Sequence, residues 1–257
     1  MRVTVLGSSN AVPRPARACS AYLIQHGGNA IVADFGTGAF SNLRRHLSFE
    51  DLDAVFVSHM HADHFIDVVP LRYALKYGER TNDRKVALWL PPEGEAMLRA
   101  IVATFPRESR HDFLDEVFDL REYQPAGITQ VGALNVRFAP TRHYIPTYAL
   151  RCEAGGSSVT YSGDTAPCDE VVALARSTEL FLCEATLLSS NAEYSPRGHS
   201  TAREAAEMAS AAAVKRLVLT HYSTASDPAT MLAEARGIFH GDVVVADDNA
   251  TFEAGDT

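Results

Sequence analysis

Val55-Phe56-Val57-Ser58-His59-Met60-His61-Ala62-Asp63-His64 carries three histidines and an aspartate within six positions, directly after a short apolar run. The run predicts a buried strand, and apolar spacing from Asp63 to Tyr77 predicts the helix that follows. In an extended chain residues two apart face the same way, so His59 and His61 are expected to turn their imidazoles to one point. The turn into the helix swings Asp63 and His64 toward a neighbouring point. Mixed nitrogen and oxygen donors of this kind suit zinc, manganese or iron. A lone histidine in a cleft is usually just hydrogen-bonded; this many convergent donors after a buried strand have little use except to hold a metal.

Three further donors stand where apolar runs stop. His143 follows Leu134 to Ala139, Asp164 follows the run Val159 to Gly163, and His221 follows Leu217 to Thr220. Loops at strand ends are the usual carriers of reacting groups. Taken singly, each reads equally well as a turn or hydrogen-bonded residue. Joined to the cluster they make seven donors, where one metal uses about four, so two divalent ions are expected.

Working outward, strands are expected at Val3 to Leu6, Ala21 to Gln25, Ala30 to Ala33, Ala54 to Val57, Val86 to Leu90, Leu134 to Ala139, Tyr148 to Glu153, Ser158 to Ser162, Leu180 to Glu184, Leu217 to Thr220 and Val243 to Ala246. Ala154-Gly155-Gly156-Ser157 looks like a hairpin turn. Helical spacing marks Glu93 to Phe105, Pro167 to Ser177 and Thr201 to Ala213. The stretch from Pro106 to Pro125 is the least patterned and is expected to be a lid or loop edge. Such interspersed strands and helices indicate an α+β or layered α/β sandwich. No repeat or long linker divides the chain, so one domain over residues 1–257 is expected.

Composition narrows the function. A formal charge of −9 and 32 acidic against 23 basic residues argue against a broadly basic, nucleic-acid-binding surface. No apolar run reaches membrane-spanning length, the start reads as a strand rather than a leader, and the four cysteines (Cys19, Cys152, Cys168 and Cys183) lack paired spacing. Together these point to a cytoplasmic protein with reduced thiols and no membrane partner. A homodimer is left open as its assembly.

With these residues in view the sequence resembles the metallo-β-lactamase fold superfamily, and within it the ribonuclease Z-like branch. The likeness runs through Leu6-Gly7-Ser8-Ser9 with Pro13, Arg17 and Ser20, then Asp34-Phe35-Gly36, Ser58 to His64, His143, Ser162-Gly163-Asp164-Thr165, Glu184-Ala185-Thr186, Gly198-His199-Ser200-Thr201 and Leu219-Thr220-His221. It implies an α+β, four-layer αβ/βα sandwich with the site at one edge of two facing sheets. Carried over, His59, His61 and His143 would hold one metal, Asp63, His64 and His221 the other, and Asp164 would bridge them. Asp34 would steady the cluster loop, or simply cap the turn. Asp63, Glu184 and His199 would be the catalytic residues, the last two moving a proton to the leaving oxygen.

Two departures from the family pattern matter. Cys183 stands where the family usually has a histidine before Glu184. Only residues 144–163 lie between His143 and Asp164, too few for the long arm with which ribonuclease Z clasps transfer RNA. The expectation is therefore a metal-dependent hydrolase of small phosphodiesters, cyclic nucleotides foremost, using a metal-activated water and most readily Zn2+, with Mn2+ or Fe2+ as substitutes. The alternatives are carboxylic ester or lactone hydrolysis at the same site, and ribonuclease Z-type cleavage. Tyr22, Tyr144, Tyr148 and Tyr222 are candidates either to stack on a base or to pack in a core; Arg14 and Arg17 either meet phosphate or are solvated charges.

Overall fold

Side-chain alternation along the strands builds the layers of this protein. The computed structural model describes residues 1–105, 112–189 and 197–255. One sheet has the order β14-β1-β2-β3-β4-β5-β6, made from β1 (Arg2–Gly7), β2 (Ala21–His26), β3 (Asn29–Phe35), β4 (Ala54–Phe56), β5 (Val86–Leu90), β6 (Phe118–Glu122) and β14 (Thr251–Glu253). The other runs β13-β12-β11-β10-β9-β8-β7, made from β7 (Ile128–Val131), β8 (Leu134–Pro140), β9 (Tyr148–Ala154), β10 (Ser157–Tyr161), β11 (Leu180–Glu184), β12 (Arg216–Thr220) and β13 (Asp242–Val245).

Each central strand is buried on both faces, which is why it reads as a continuous apolar run. Tyr22, Ile24, Ile31, Ala33 and Phe56 of the first sheet meet Val136, Leu150, Val159, Leu182 and Val218 of the second in a shared inner core. The alternate residues turn outward. Leu23, Val32, Val55 and Leu88 pack on α1 (Ala39–Leu43), α2 (Val68–Tyr77) and α3 (Gly94–Val102). Phe181, Cys183, Leu217 and Leu219 pack on α4 (Asp169–Ala175), α5 (Ala202–Ala211) and α6 (Pro228–Arg236). The result is the expected αβ/βα sandwich.

Each sheet is antiparallel in one half (β14, β1, β2 and β3; β7, β8, β9 and β10) and parallel in the other. β3, β4, β5 and β6 run parallel, as do β10, β11, β12 and β13. The β9–β10 hairpin turns on Gly155 and Gly156, both at positive φ (56° and 82°), a conformation that costs a glycine little and matches the twist of the strands.

Two expectations are corrected here. The helix that begins at Asp63 in the sequence reading begins at Val68 in the structure, after a short 3₁₀ turn at Ala62–His64. Phe65 at φ −144° breaks the helical geometry, so the cluster residues belong to a turn. The stretch 106–125 is not a loop throughout. Residues 106–111 lie outside the described residues, but Phe113, Leu114, Val117 and Phe118 are buried against the first sheet and β6 pairs along β5. No helix among the described residues is long and apolar enough to cross a membrane.

Candidate metal centre

All seven predicted donors meet at one edge of the sandwich. His59, Asp164 and His221 lie just beyond the C-terminal ends of β4, β10 and β12, and His143 lies beyond β8. Such edges collect side chains that no strand ladder uses. Ligand atoms of His59, His61, His143 and Asp164 fall within 4.8 Å of one another, and so do those of Asp63, His64 and His221. Asp164 stands between the groups: Oδ2 is 3.7 Å from His59 Nε2, 3.8 Å from His143 Nε2 and 3.4 Å from His64 Nε2, while Oδ1 is 3.5 Å from His221 Nε2.

Hydrogen bonds behind the rings settle which nitrogen carries the proton. Ser58 Oγ gives its hydrogen to Asp34 Oδ2 (2.8 Å), so it accepts from His59 Nδ1 at 2.9 Å. His64 Nδ1 donates to Asp34 Oδ2 (2.7 Å) and His143 Nδ1 to the Gly198 carbonyl (2.8 Å). Thr186 Oγ1 donates to the His221 carbonyl and therefore accepts from His221 Nδ1 at 2.7 Å. With Nδ1 engaged as a donor on each of these four rings, Nε2 is the atom each turns to the centre, where its lone pair, once free of a proton, can meet a cation. His61 Nδ1 faces His59 Nε2 at 3.0 Å and His143 Nε2 at 3.2 Å, and one proton cannot serve three nitrogens.

His64 Nε2 and Asp164 Oδ1 are buried without a hydrogen-bond partner among the described residues. Orphaned lone pairs aimed at one point, with carboxylates to balance charge, fit a divalent cation and little else. The donor set supports divalent-metal use by this protein.

Asp34 organises the cluster from behind. Fully buried at the end of β3, it accepts from Ser58 N (2.7 Å), Ser58 Oγ, His64 Nδ1 and the Tyr161 hydroxyl (2.8 Å). Its φ is +56° and that of His221 is +52°, strained values that persist where surrounding contacts enforce them. The sequence assigns no role to Tyr161 and carries Thr186 only within the motif Glu184-Ala185-Thr186; strand register brings both here.

Burial and neighbouring imidazoles push His59 well below the ordinary histidine value, and burial lowers His61 and His143. Burial opposes charge on His64 too, yet Asp164 and Asp34 hold its value well above the ordinary one. Burial would raise Asp63 and Asp164, but the facing histidines, His221 and His64 among them, keep both carboxyls well below the usual range.

Beside the cluster, Glu184 is fully buried and accepts from Thr165 N (2.7 Å) and Thr186 N (3.1 Å). His199 Nδ1 donates to Glu184 Oε1 at 2.9 Å, and against the effect of burial this carboxylate pushes His199 up to about 9. His199 is set by the turn into α5, where Thr201 and Glu204 form a reciprocal cap and Ser200 Oγ donates to the Thr165 carbonyl at 2.6 Å. Cys183, the departure from the family pattern, packs outward with Phe181 against the helices and does not face the site.

A cavity of about 360 Å³ opens over the cluster, lined by His61, Asp63, Asp164, His199 and His221 together with Asn10, Ala11, Ala62, Tyr144 and Thr186. Of the tyrosines weighed for base stacking, Tyr22 is buried in the inner core with its hydroxyl 2.7 Å from Thr220 Oγ1, Tyr148 packs on Tyr123, and buried Tyr222 donates to the Ala246 carbonyl. Only Tyr144 lines the cavity. Arg14 lies 3.9 Å over the Tyr222 ring and donates to Ser8 and Ser9 Oγ, and Arg17 pairs with Asp247. Both arginines are engaged in holding the loop that follows β1.

A model of the beta-lactamase superfamily domain matches residues 29–222. An uncharacterized protein of Mycobacterium leprae is 33% identical over 255 residues, covering 98% of this chain and 88% of the relative. Ribonuclease Z of Haloferax volcanii is 29% identical over 308 aligned positions, covering 98% of this chain and 95% of that protein. The crystal structure of the metallo-beta-lactamase fold protein YhfI from Bacillus subtilis superposes with a TM-score of 0.87 at 25% identity, covering 98% of this chain and 99% of that one.

Proposed function

This chain belongs to the beta-lactamase superfamily, as a metallo-hydrolase akin to its ribonuclease Z-like members, and we propose that it hydrolyses small phosphodiesters, cyclic nucleotides foremost. The observation that carries the reading is the His199–Glu184 pair, 2.9 Å apart beside the clustered donors and open to the cavity. A phosphodiester oxygen departs as a poor leaving group and needs a proton; a carbonyl ester leans less on such a donor.

In this proposal His59, His61 and His143 would hold one divalent ion and Asp63, His64 and His221 a second, with Asp164 placed to serve both, and Zn2+ would be the best fit, with Mn2+ or Fe2+ able to replace it. Bound cations supply Lewis acidity for an attacking water and neutralise charge growing on the phosphoryl oxygens. Asp63, whose carboxylate lines the cavity, would orient the attacking water. His199 gives its proton to the departing oxygen, and Glu184 holds the ring and stabilises its charge before the transfer. Thr165 N and Thr186 N fix Glu184 in turn, so the acid is placed before substrate arrives.

Transfer RNA is not the substrate in this reading. Between His143 and Asp164 the chain makes only the β9–β10 hairpin. The Haloferax ribonuclease Z aligns over 308 positions against the 257 residues here, so it carries segments this chain lacks. An acidic net charge of −9 adds long-range repulsion of a polyanion. The sheets share one inner core, which supports a single hydrolase domain over residues 1–257, and the four unpaired, buried cysteines support a cytoplasmic setting.

The test compares kcat/KM of zinc-loaded protein on cyclic AMP, bis-p-nitrophenyl phosphate, a precursor transfer RNA and a simple lactone at one ionic strength. Turnover of the first two with little on the RNA is expected. Correct cleavage of the RNA alone, or lactone turnover alone, overturns the proposal.

A further inference from the structure

We propose that Tyr144 is the stacking platform for a planar aromatic group, such as a nucleobase, on the leaving side of the substrate; the inference rests on the phosphodiesterase reading and narrows it. Tyr144 follows His143 directly and is 62% exposed. Large exposed apolar side chains elsewhere among the described residues are Val12, Tyr73, Tyr77, Met97 and Ile128, and none of them lines the cavity over the cluster. Tyr144 does.

The ring is held in place although its surface is open. Its centroid lies 5.0 Å from the His143 ring and 5.8 Å from that of His199. Gly198 packs its backbone beneath it: a Cβ there would come within 2.8 Å of His143 Nδ1 and 2.9 Å of the Tyr144 ring, so no side chain fits. The hydroxyl has no hydrogen-bond partner among the described residues, so neighbouring rings and the glycine backbone fix the orientation. A fixed aromatic plane half in water, with no core to fill, is the construction of a stacking surface.

Position then decides which part of the substrate it meets. His199 donates to the leaving oxygen, and Tyr144 is the aromatic wall beside His199. Whatever that oxygen carries passes over the phenol. A base gains contact there through its π-face, which every base has, so the platform selects for a planar group without reading its edge.

The experiment measures binding of AMP and of ribose 5-phosphate to zinc-loaded protein by calorimetry, in wild type, Tyr144→Ala and Tyr144→Phe. Wild type is expected to favour AMP by roughly ten-fold, in the range that one base–aromatic contact supplies. Tyr144→Ala removes that preference while its zinc content and ribose 5-phosphate affinity stay as in wild type; Tyr144→Phe, which keeps the ring, keeps the preference. Equal affinity for the two ligands in wild type, or an equal loss of both in Tyr144→Ala, overturns the platform. Failure of the phosphodiesterase reading shows separately, as absent turnover of bis-p-nitrophenyl phosphate by wild type.

Discussion

His64 Nδ1 stands 2.7 Å from Asp34 Oδ2, and this contact ties the buried end of β3 to the turn that bears Asp63 and His64. The same carboxylate receives Ser58 and Tyr161, so one residue orients His64 directly and His59 through Ser58. Asp34→Asn keeps the volume and tolerates the positive φ, but its amide presents a donor where donors already converge. Zinc affinity is expected to fall about 10–100-fold, read by competition with a chromophoric chelator, with the fold retained. Unchanged affinity would show that the clustered rings hold their tautomers without Asp34.

Protons and metal compete for the cluster, and unequally. His59, His61 and His143 are pushed below the ordinary value and are already neutral near pH 7. His64 is held above it, so it is protonated there and must give that proton up before Nε2 can bind a cation. The sign follows: metal uptake releases protons, and affinity at the Asp63–His64–His221 group rises with pH until His64 is neutral without metal. Calorimetric zinc titration at pH 7 in buffers of different ionisation enthalpy checks this. A heat independent of the buffer would count against it. Chelation should also lower the melting temperature, since a cation at about 100 times its Kd adds about 2.7 kcal/mol to stability.

The cluster was legible in the sequence because its donors are compressed: His59, His61, Asp63 and His64 fall within six consecutive positions and carry their meaning locally. His143, Asp164 and His221 were legible more weakly, as polar residues ending apolar runs. The central strands announced themselves through burial on both faces. Less was readable where the context is distant. Tyr161 reaches Asp34 across 127 residues and Thr186 reaches His221 across 35, contacts that exist only once strand register is set. The start of α2 was misplaced because Phe65 and Val68 keep helical spacing even where the backbone at Phe65 does not. β7 (Ile128–Val131) and β14 (Thr251–Glu253) are short edge strands whose half-exposed residues lack an apolar run. Which way Cys183 faces follows from strand period alone: it and Glu184 are neighbours on β11 and face opposite ways, Cys183 toward the helices.

His199→Ala separates acid catalysis from metal binding. His199 is pushed up to about 9 by Glu184, so at neutral pH it holds a proton to give. Turnover of a diester with an alkoxide leaving group should drop about 10²–10⁴-fold. With p-nitrophenolate, which leaves without a proton, the drop should be far smaller, and zinc content should stay at the wild-type value. An equal loss on both substrates would place His199 in substrate binding or in folding instead.

Asp248 offers a test far from the cluster in sequence yet tied to the cavity wall. Its Oδ1 accepts from Ser8 N (3.1 Å) and Ser8 Oγ (2.8 Å), and its Oδ2 from Ala18 N (2.7 Å) and Asn42 Nδ2 (3.1 Å). These bonds pin both ends of the loop 8–18, whose Asn10 and Ala11 wall the cavity. Ser8 is fully buried, so Asp248→Ala leaves donors without acceptors, at about 1–3 kcal/mol for each group that water cannot reach. With about 2–4 °C per kcal/mol for a chain of this size, the melting temperature should fall roughly 5–10 °C. Because the loop forms the wall and holds no donor of the cluster, KM should rise several-fold while zinc stoichiometry is unchanged. Loss of zinc in Asp248→Ala, or a KM equal to wild type despite the lower melting temperature, would show that the loop and the site are not coupled in this way.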